Sequence, residues 1–295
     1  MRNDEKPDDT TPIIYFGGAS IVFHNFIMEG YDRKIPVLIP FDQFNKKGKI
    51  EWKSWYSHLF IDSGAWSVSQ SNADVRLNDY IDFIKRNEDK ITRYASLDVI
   101  GDARQSLENW RAMRSHGLFP IPVYHDGEDI DILNEYVDNC SYIGLGGVAY
   151  KSTKSRIVFM DDIFRRFPNR NNIGFHGFGI MADNMLKRYP WLSVDSSAIA
   201  VTCRYGGVYM PFHISKTVPI SQRTKGYKKW KNRFGEEYLR NFFKEFGRDY
   251  DIATQSDNRG LAERIYFSLD YMMKYVQPSI PNEYDTNLSV NKLFN

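Results

Sequence analysis

One pattern recurs along this chain and limits what it can fold into. A short apolar run of strand-forming residues ends in a polar residue or a glycine, and a turn rich in small residues lies close behind. It reads LFIDSGAWSV at 59–68, SLDVIGD at 96–102, IPVYHDGE at 121–128, YIGLGG at 142–147, IGFHGFG at 173–179 and LSVDSS at 192–197. A residue at such a position is held by a rigid strand yet stands on the rim of a sheet. Six rims pointing the same way predict one shared face.

Between these runs the apolar residues fall near helical spacing. Tyr80, Phe83, Ile84 and Ile91 predict a helix over 78–90, and Leu107, Trp110 and Met113 another, stopped by His116 and Gly117. Ile130, Leu133 and Val137 mark a third helix, and Met160, Ile163, Phe164 and Phe167 form the i, i+3, i+4, i+7 stripe of a fourth. Strands are expected at 13–16, 59–62, 94–98, 121–124, 142–145, 173–176 and 192–195, with 208–212 as the eighth. The stretch 35–39 is flanked by Pro36 and Pro40 and reads as at best an edge strand or an extended connection. Residues 43–57 read as an irregular insertion.

Strands alternating with helices call for a parallel α/β sheet. Eight such units in 295 residues fit a (β/α)8 TIM-type barrel over 12–213 better than the alternative, an open doubly wound sheet. Residues 1–11 read as a disordered lead-in. Residues 214–277 read as a basic segment and two C-terminal helices that pack on the barrel as an appendix, and 278–295 as a loose tail.

Composition narrows the function classes. A formal charge of +2 is too small to mark a nucleic-acid binder, so any basic surface must be local. One such stretch exists. Lys216, Arg223, Lys225, Lys228, Lys229, Lys231 and Arg233 occur with no acidic residue among them, and Tyr227, Trp230 and Phe234 are interleaved. It is either a solvated face or a surface that tracks phosphates. Two cysteines, Cys140 and Cys203, exclude a disulfide framework and a Cys-rich zinc site, and point to a reducing cytoplasm. No apolar run approaches the ~20 residues a bilayer span needs, so no membrane partner is expected. The N-terminus lacks an apolar signal core, and export is not expected.

Asp62 and Asp195 are the sharpest candidates for chemistry. Each ends an apolar strand and precedes small residues. Taken singly, each also suits a turn or helix cap. Taken together on one face, they suit the two sides of a glycosidic bond, one as nucleophile and one as acid/base. Asp98 suits either a ligand edge or a cap for the Gly101 turn. His125 and His176 end strands too, where a histidine often only bonds a neighbouring carbonyl. The histidines lack HxH or HxxxH spacing, and neither a metal nor a cofactor is expected. The Gly144–Gly147 and Gly177–Gly179 stretches lack a dinucleotide or P-loop fingerprint; a bare backbone there lets a flat ligand approach.

DSGAW at 62–66, LGG at 145–147, HGFG at 176–179 and SVDSSA at 193–198 occur in the order seen in tRNA-guanine transglycosylases, and the chain resembles that family over about residues 13–205. It looks closest to the phage and DNA-modification branch, which inserts 7-deazaguanine bases into DNA. The resemblance implies a (β/α)8 barrel that exchanges guanine for a 7-deazaguanine base without cutting the backbone. It implies Asp195 as nucleophile and Asp62 as general acid/base. It also implies a base site made by Asp98, Ser63, Gly64, Trp66, His125, Gly146, Gly147, His176 and Gly177, with Trp66 and His176 sandwiching the base. Nucleic acid would be held by Arg204 and the basic residues from Lys216 to Lys231. The family's CxCxxC…H zinc site is absent, its DSGGF is DSGAW here, and His125-Asp126 stands where a glutamine is usual. The missing zinc module and the short C-terminal region favour DNA over tRNA as partner, while His125-Asp126 leaves the choice of incoming base open. A homodimer is compatible with the sequence. Two other readings stay open: a retaining glycosidase or nucleosidase on a small substrate, and a non-catalytic nucleic-acid-binding barrel.

Overall fold

The structure is a computed structural model, and it describes residues 3–6, 11–17, 27–65, 75–148, 151–211, 217–221, 224, 227 and 235–287. Its centre is an eight-stranded, all-parallel sheet of β1 (Ile13–Gly17), β2 (Ile35–Pro40), β3 (Tyr56–Asp62), β4 (Arg93–Tyr94), β5 (Val123–His125), β6 (Tyr142–Gly146), β7 (Gly174–Gly177) and β8 (Ser193–Ser196). The spatial order is β4-β3-β2-β1-β8-β7-β6-β5. Chain order is kept around a curled sheet, and the seam falls between β4 and β5. No ladder closes that seam. Its two edges touch at one parallel bridge, Ala95 to Ile121, where Ser96 N donates to Ile121 O at 2.8 Å and Ile121 N to Tyr94 O at 2.9 Å. The architecture is α/β and compatible with a TIM-type fold.

Strand parity decides what faces where, because successive side chains point to opposite sides. Tyr15, Leu38, Phe60, Ala95, Val123, Tyr142 and Leu192 pack together inside the curl. Their neighbours Phe16, Val37, Ile39, Leu59, Ile61, Ile143, Leu145, Phe175 and Val194 join the larger core shared with the helices. That outer layer is built by α1 (Leu77–Asn87), α2 (Ala103–Ser115), α3 (Ile130–Asn139), α4 (Thr153–Arg166), α5 (Asp183–Leu186) and α6 (Ala198–Arg204). Asp102, Asp129 and Ser152 cap α2, α3 and α4 by accepting from backbone N–H groups of the first turn.

Two strand assignments change. The 35–39 stretch is no edge strand: β2 lies inside the sheet, paired with β1 and β3. Its prolines are tolerated because Pro36 sits at a register shift and Pro40 is the last residue of the strand. The 208–212 stretch is not the eighth strand. Its first residues belong to β9 (Gly207–Tyr209), which pairs antiparallel with β10 (Thr217–Pro219) outside the main sheet.

After β10 come α7 (Glu236–Glu245), α8 (Tyr250–Ala253) and α9 (Asn258–Tyr271). The appendix docks on the main body. Arg264 donates to Cys203 O at 2.9 Å, Ser268 Oγ accepts from Tyr209 N at 3.0 Å, and Asp270 accepts from Tyr31 and Arg248. Phe243 and Phe267 stack at 4.0 Å between α7 and α9.

Both chain ends depart from expectation. Asn3 lies at the seam: its amide donates to Tyr94 O at 2.9 Å and Phe119 O at 2.8 Å, and accepts from Tyr94 N at 2.9 Å. Asp4 is fully buried and bonds Arg114 at 2.6 Å. Residues 3–6 are therefore not a disordered lead-in. Near the other end Tyr284 is buried, and Arg170 bonds Pro281 O at 2.8 Å as well as the Asn282 side chain. Residues 280–284 are therefore not a loose tail. Among the described residues, no helix is long and apolar enough to cross a membrane.

Candidate active site

A cleft of about 620 Å³ opens where the parallel strands end. Parity brings its polar groups together. Asp62 shares the inward face of β3 with Phe60, and His125 that of β5 with Val123. Asp195 takes the same face of β8 as Ser193, opposite to Val194. Asp62, Asp98, His125, Gly146, Gly147 and Asp195 all line this one cleft.

Asp62 is the last residue of β3 and is partly buried. Burial first, and then the nearby Asp98 and Asp195, push its carboxyl up to about 8. The Gly64 N–H, 3.4 Å from Asp62 Oδ2, opposes this only in part. Gly64 reaches that position at φ 81°, which its lack of a Cβ allows. Asp62 therefore keeps its proton at neutral pH.

Asp195 is held differently. Its Oδ1 accepts from the Gly179 N–H at 2.9 Å, and His176 Nε2 lies 3.4 Å from the same oxygen. A Cβ on Gly17 would stand 3.2 Å from Oδ2, so the bare end of β1 gives this carboxylate its room. The cleft thus offers a proton donor and a carboxylate oxygen together. That pair can serve acid-assisted displacement at one carbon.

Asp98 is the centre of a buried chain. Its Oδ1 accepts from Ser63 Oγ at 2.5 Å, and its Oδ2 from His125 Nε2 at 2.9 Å. The other ring nitrogen of His125 reaches Glu128 Oε1 at 2.8 Å, and the His125 backbone N–H donates to Glu128 Oε2 at 3.0 Å. Burial alone would push the ring down. The bonds to Asp98 and Glu128 reverse this and take it up to about 10. His125 is an imidazolium whose two donors are both spent on carboxylates.

Several expected site residues have other work. His176 is fully buried beneath the cleft, its ring 4.3 Å from that of Phe178 and 4.9 Å from that of Phe60, with Nδ1 2.6 Å from Ser193 Oγ. It does not line the cleft and is no base-stacking platform, and its Nε2 has no hydrogen-bond partner among the described residues. Gly177 has the opposite parity and faces the helix layer, where a Cβ would meet Ile180 and Trp191 at 2.8 Å. Ser63 is buried and acts through Asp98. The bareness of Gly146 and Gly147 serves His125 as much as any ligand. A Cβ on Gly147 would come within 2.9 Å of His125 Cβ, and one on Gly146 within 3.0 Å of Cδ2. Arg204 is exposed on α6, one turn beyond Val201 at the cleft rim. Trp66, Lys216, Arg223, Lys225, Lys228, Lys229 and Lys231 lie outside the described residues.

Some site residues escaped sequence reasoning. Glu128 follows His125 by three within HDGE, a signal legible only once His125 is known to need a partner. Gly179 closes HGFG and supplies the N–H to Asp195. Gln43 and Arg156 line the cleft, and the Gln43 Oε1 is buried with no hydrogen-bond partner among the described residues. Nothing in their local sequence marks them. Among the described residues, no group of three His, Cys, Asp or Glu side chains is arranged to hold a metal ion.

In sequence comparisons no protein-family model matches the chain, and no curated protein matches it. The functional case therefore rests on the residues of the cleft.

Proposed function

We propose that this protein is a nucleic-acid guanine transglycosylase that exchanges guanine, in DNA, for a 7-deazaguanine base. One observation carries the reading: an acid that keeps its proton and a backbone-anchored carboxylate, Asp62 and Asp195, share one cleft at the strand ends. The order of motifs in the sequence supports the same reading. The curled parallel sheet, compatible with a TIM-type fold and open between β4 and β5 except at the Ala95–Ile121 bridge, suits such a reaction by gathering these groups at its strand ends.

In the proposed reaction an Asp195 oxygen bonds to C1′ of an extruded nucleotide as the C1′–N9 bond breaks. Asp62 gives its proton to the departing guanine. Asp62, now a carboxylate, takes the N9 proton of the incoming base. That nitrogen then attacks C1′ and releases Asp195. Atoms and charge balance with no cofactor. Asp98, anchored by Ser63 and His125, retains free lone pairs for donors on the base edge.

The test is release of labelled guanine from DNA, tRNA and free guanosine at matched salt. Release from DNA, with a covalent protein–DNA adduct when incoming base is withheld, supports the proposal. Exchange only into tRNA would move the substrate to RNA and leave both aspartates in place. Hydrolysis of the free nucleoside without exchange would favour a nucleosidase. Asp195→Asn should lower exchange by about 10⁴–10⁶-fold and form no adduct.

A further inference from the structure

The Ser63–Asp98–His125–Glu128 chain contains one residue with no part in the proposed reaction. Glu128 bonds His125 twice, once through each carboxylate oxygen, at 2.8 Å to the ring and 3.0 Å to the backbone N–H. The glutamate side chain is itself buried, 8% exposed, in a turn where a carboxylate would ordinarily be solvated. Its main-chain carbonyl accepts from Tyr124 at 2.8 Å, which fixes the turn from the strand below.

We propose that Glu128 is a positioning residue that clamps the His125 ring, so that the Nε2 donor is locked onto Asp98 and Asp98 meets a ligand only as a hydrogen-bond acceptor. The inference rests on the cleft binding a base. Without Glu128 the ring has a free nitrogen and can turn or lose its charge, and the Asp98 oxygen it holds is released. With Glu128 in place, neither ring nitrogen is available to the cleft. A ligand edge there must bring its own N–H donors, as guanine does with N1–H and its exocyclic amine.

The charged groups around the ring come from several elements. Asp98 approaches from beyond β4, and Glu128 from the turn that follows β5. Asp62, Asp195 and Arg156 share the cleft. Asp126 is paired with Lys151 at 2.5 Å, and the phenol of Tyr136 on α3 is raised by burial first and then by Glu128 and Asp98. Among the described residues, only Asp98 and Glu128 bond the ring directly, and burial opposes both.

The experiment is an NMR titration of the His125 ring nitrogens in wild type and Glu128→Gln, paired with calorimetry using free guanine and hypoxanthine, which lacks the exocyclic amine. The wild-type ring should stay doubly protonated up to about pH 10. In Glu128→Gln its midpoint should fall by about one unit or more, and guanine should bind roughly tenfold more weakly as its preference over hypoxanthine shrinks. Glu128→Asp should restore part of both. A wild-type ring that titrates near 6.5 overturns the clamp, and needs no variant to fold. An unchanged titration in a folded Glu128→Gln protein overturns it as well. If the titration moves as stated but wild type binds no guanine, the clamp stands and the guanine reading of the cleft falls.

Discussion

Asp62→Asn should make the protein more stable while removing its proposed activity. The folded carboxyl titrates at about 8 rather than 3.8, so between those values the folded protein keeps a proton that the unfolded chain has lost. Folding that relies on a raised acid is favoured at low pH. Its contribution is fully present below 3.8 and is lost as pH rises through 8. At about 1.4 kcal/mol per unit, the shift is worth up to about 4 kcal/mol at pH 7. Asp62 borders an open cleft and is only partly buried, so solvent screening reduces the expected figure to about 2 kcal/mol. An asparagine has nothing to ionise and escapes the penalty. Unfolding entropy for a chain of this size is about 0.6 kcal/mol per degree, which converts 2 kcal/mol into a melting temperature higher by about 3 °C. Urea midpoints from pH 4 to pH 9 separate this from any fixed effect of the substitution. The gap between variant and wild type should be near its baseline at pH 4, widen through neutrality and level off above pH 8. A gap independent of pH, or a variant less stable than wild type at pH 8, would falsify the electrostatic account of Asp62.

The same raised acid predicts an exchange rate that declines as pH rises through about 8, because the departing base then finds no proton, and initial rates at saturating DNA would measure it. Asn3→Ala should cost about 1–3 kcal/mol in urea unfolding, since it removes the acceptor of the Tyr94 N–H and a donor to the Tyr94 and Phe119 carbonyls at the seam; an unchanged midpoint would remove the seam role. Gly177→Ala should cost about 1–3 kcal/mol by driving a methyl into Ile180 and Trp191, yet leave guanine affinity intact in calorimetry, whereas a substrate contact at that glycine predicts the reverse.

Much of this site is legible in sequence because strand geometry is local. An apolar run ending in Asp62, Asp195 or His125, followed by small residues, specifies a side chain at a strand's carboxyl end, and parity then sends it inward. The same local rule, read without parity, misassigned two residues. His176 and Gly177 end their strand together, but one points into the curl and stays buried while the other faces the helices. Pro36 and Pro40 misled for a related reason. Proline lacks one donor, and whether the sheet misses that donor depends on where the neighbouring strands begin and bulge.

What the sequence determined by itself was the alternation of strands and helices, the rim positions and the identity of the polar groups on them. All of these follow from backbone periodicity and side-chain type within a few residues. The tertiary structure alone decided the rest: that β2 takes an interior place, that Asn3 sits across the seam from Tyr94 to Phe119, and that Glu128 grips His125. It also decided that Asp62 holds a proton which an isolated aspartate would release. The Asn3 bond to Phe119 joins groups 116 residues apart, the Asp62 proton depends on Asp98 and Asp195 from other segments, and even the nearby Glu128 meets the His125 ring only in a folded, buried turn. Burial and charge act through space, and the linear order of residues carries no measure of that distance.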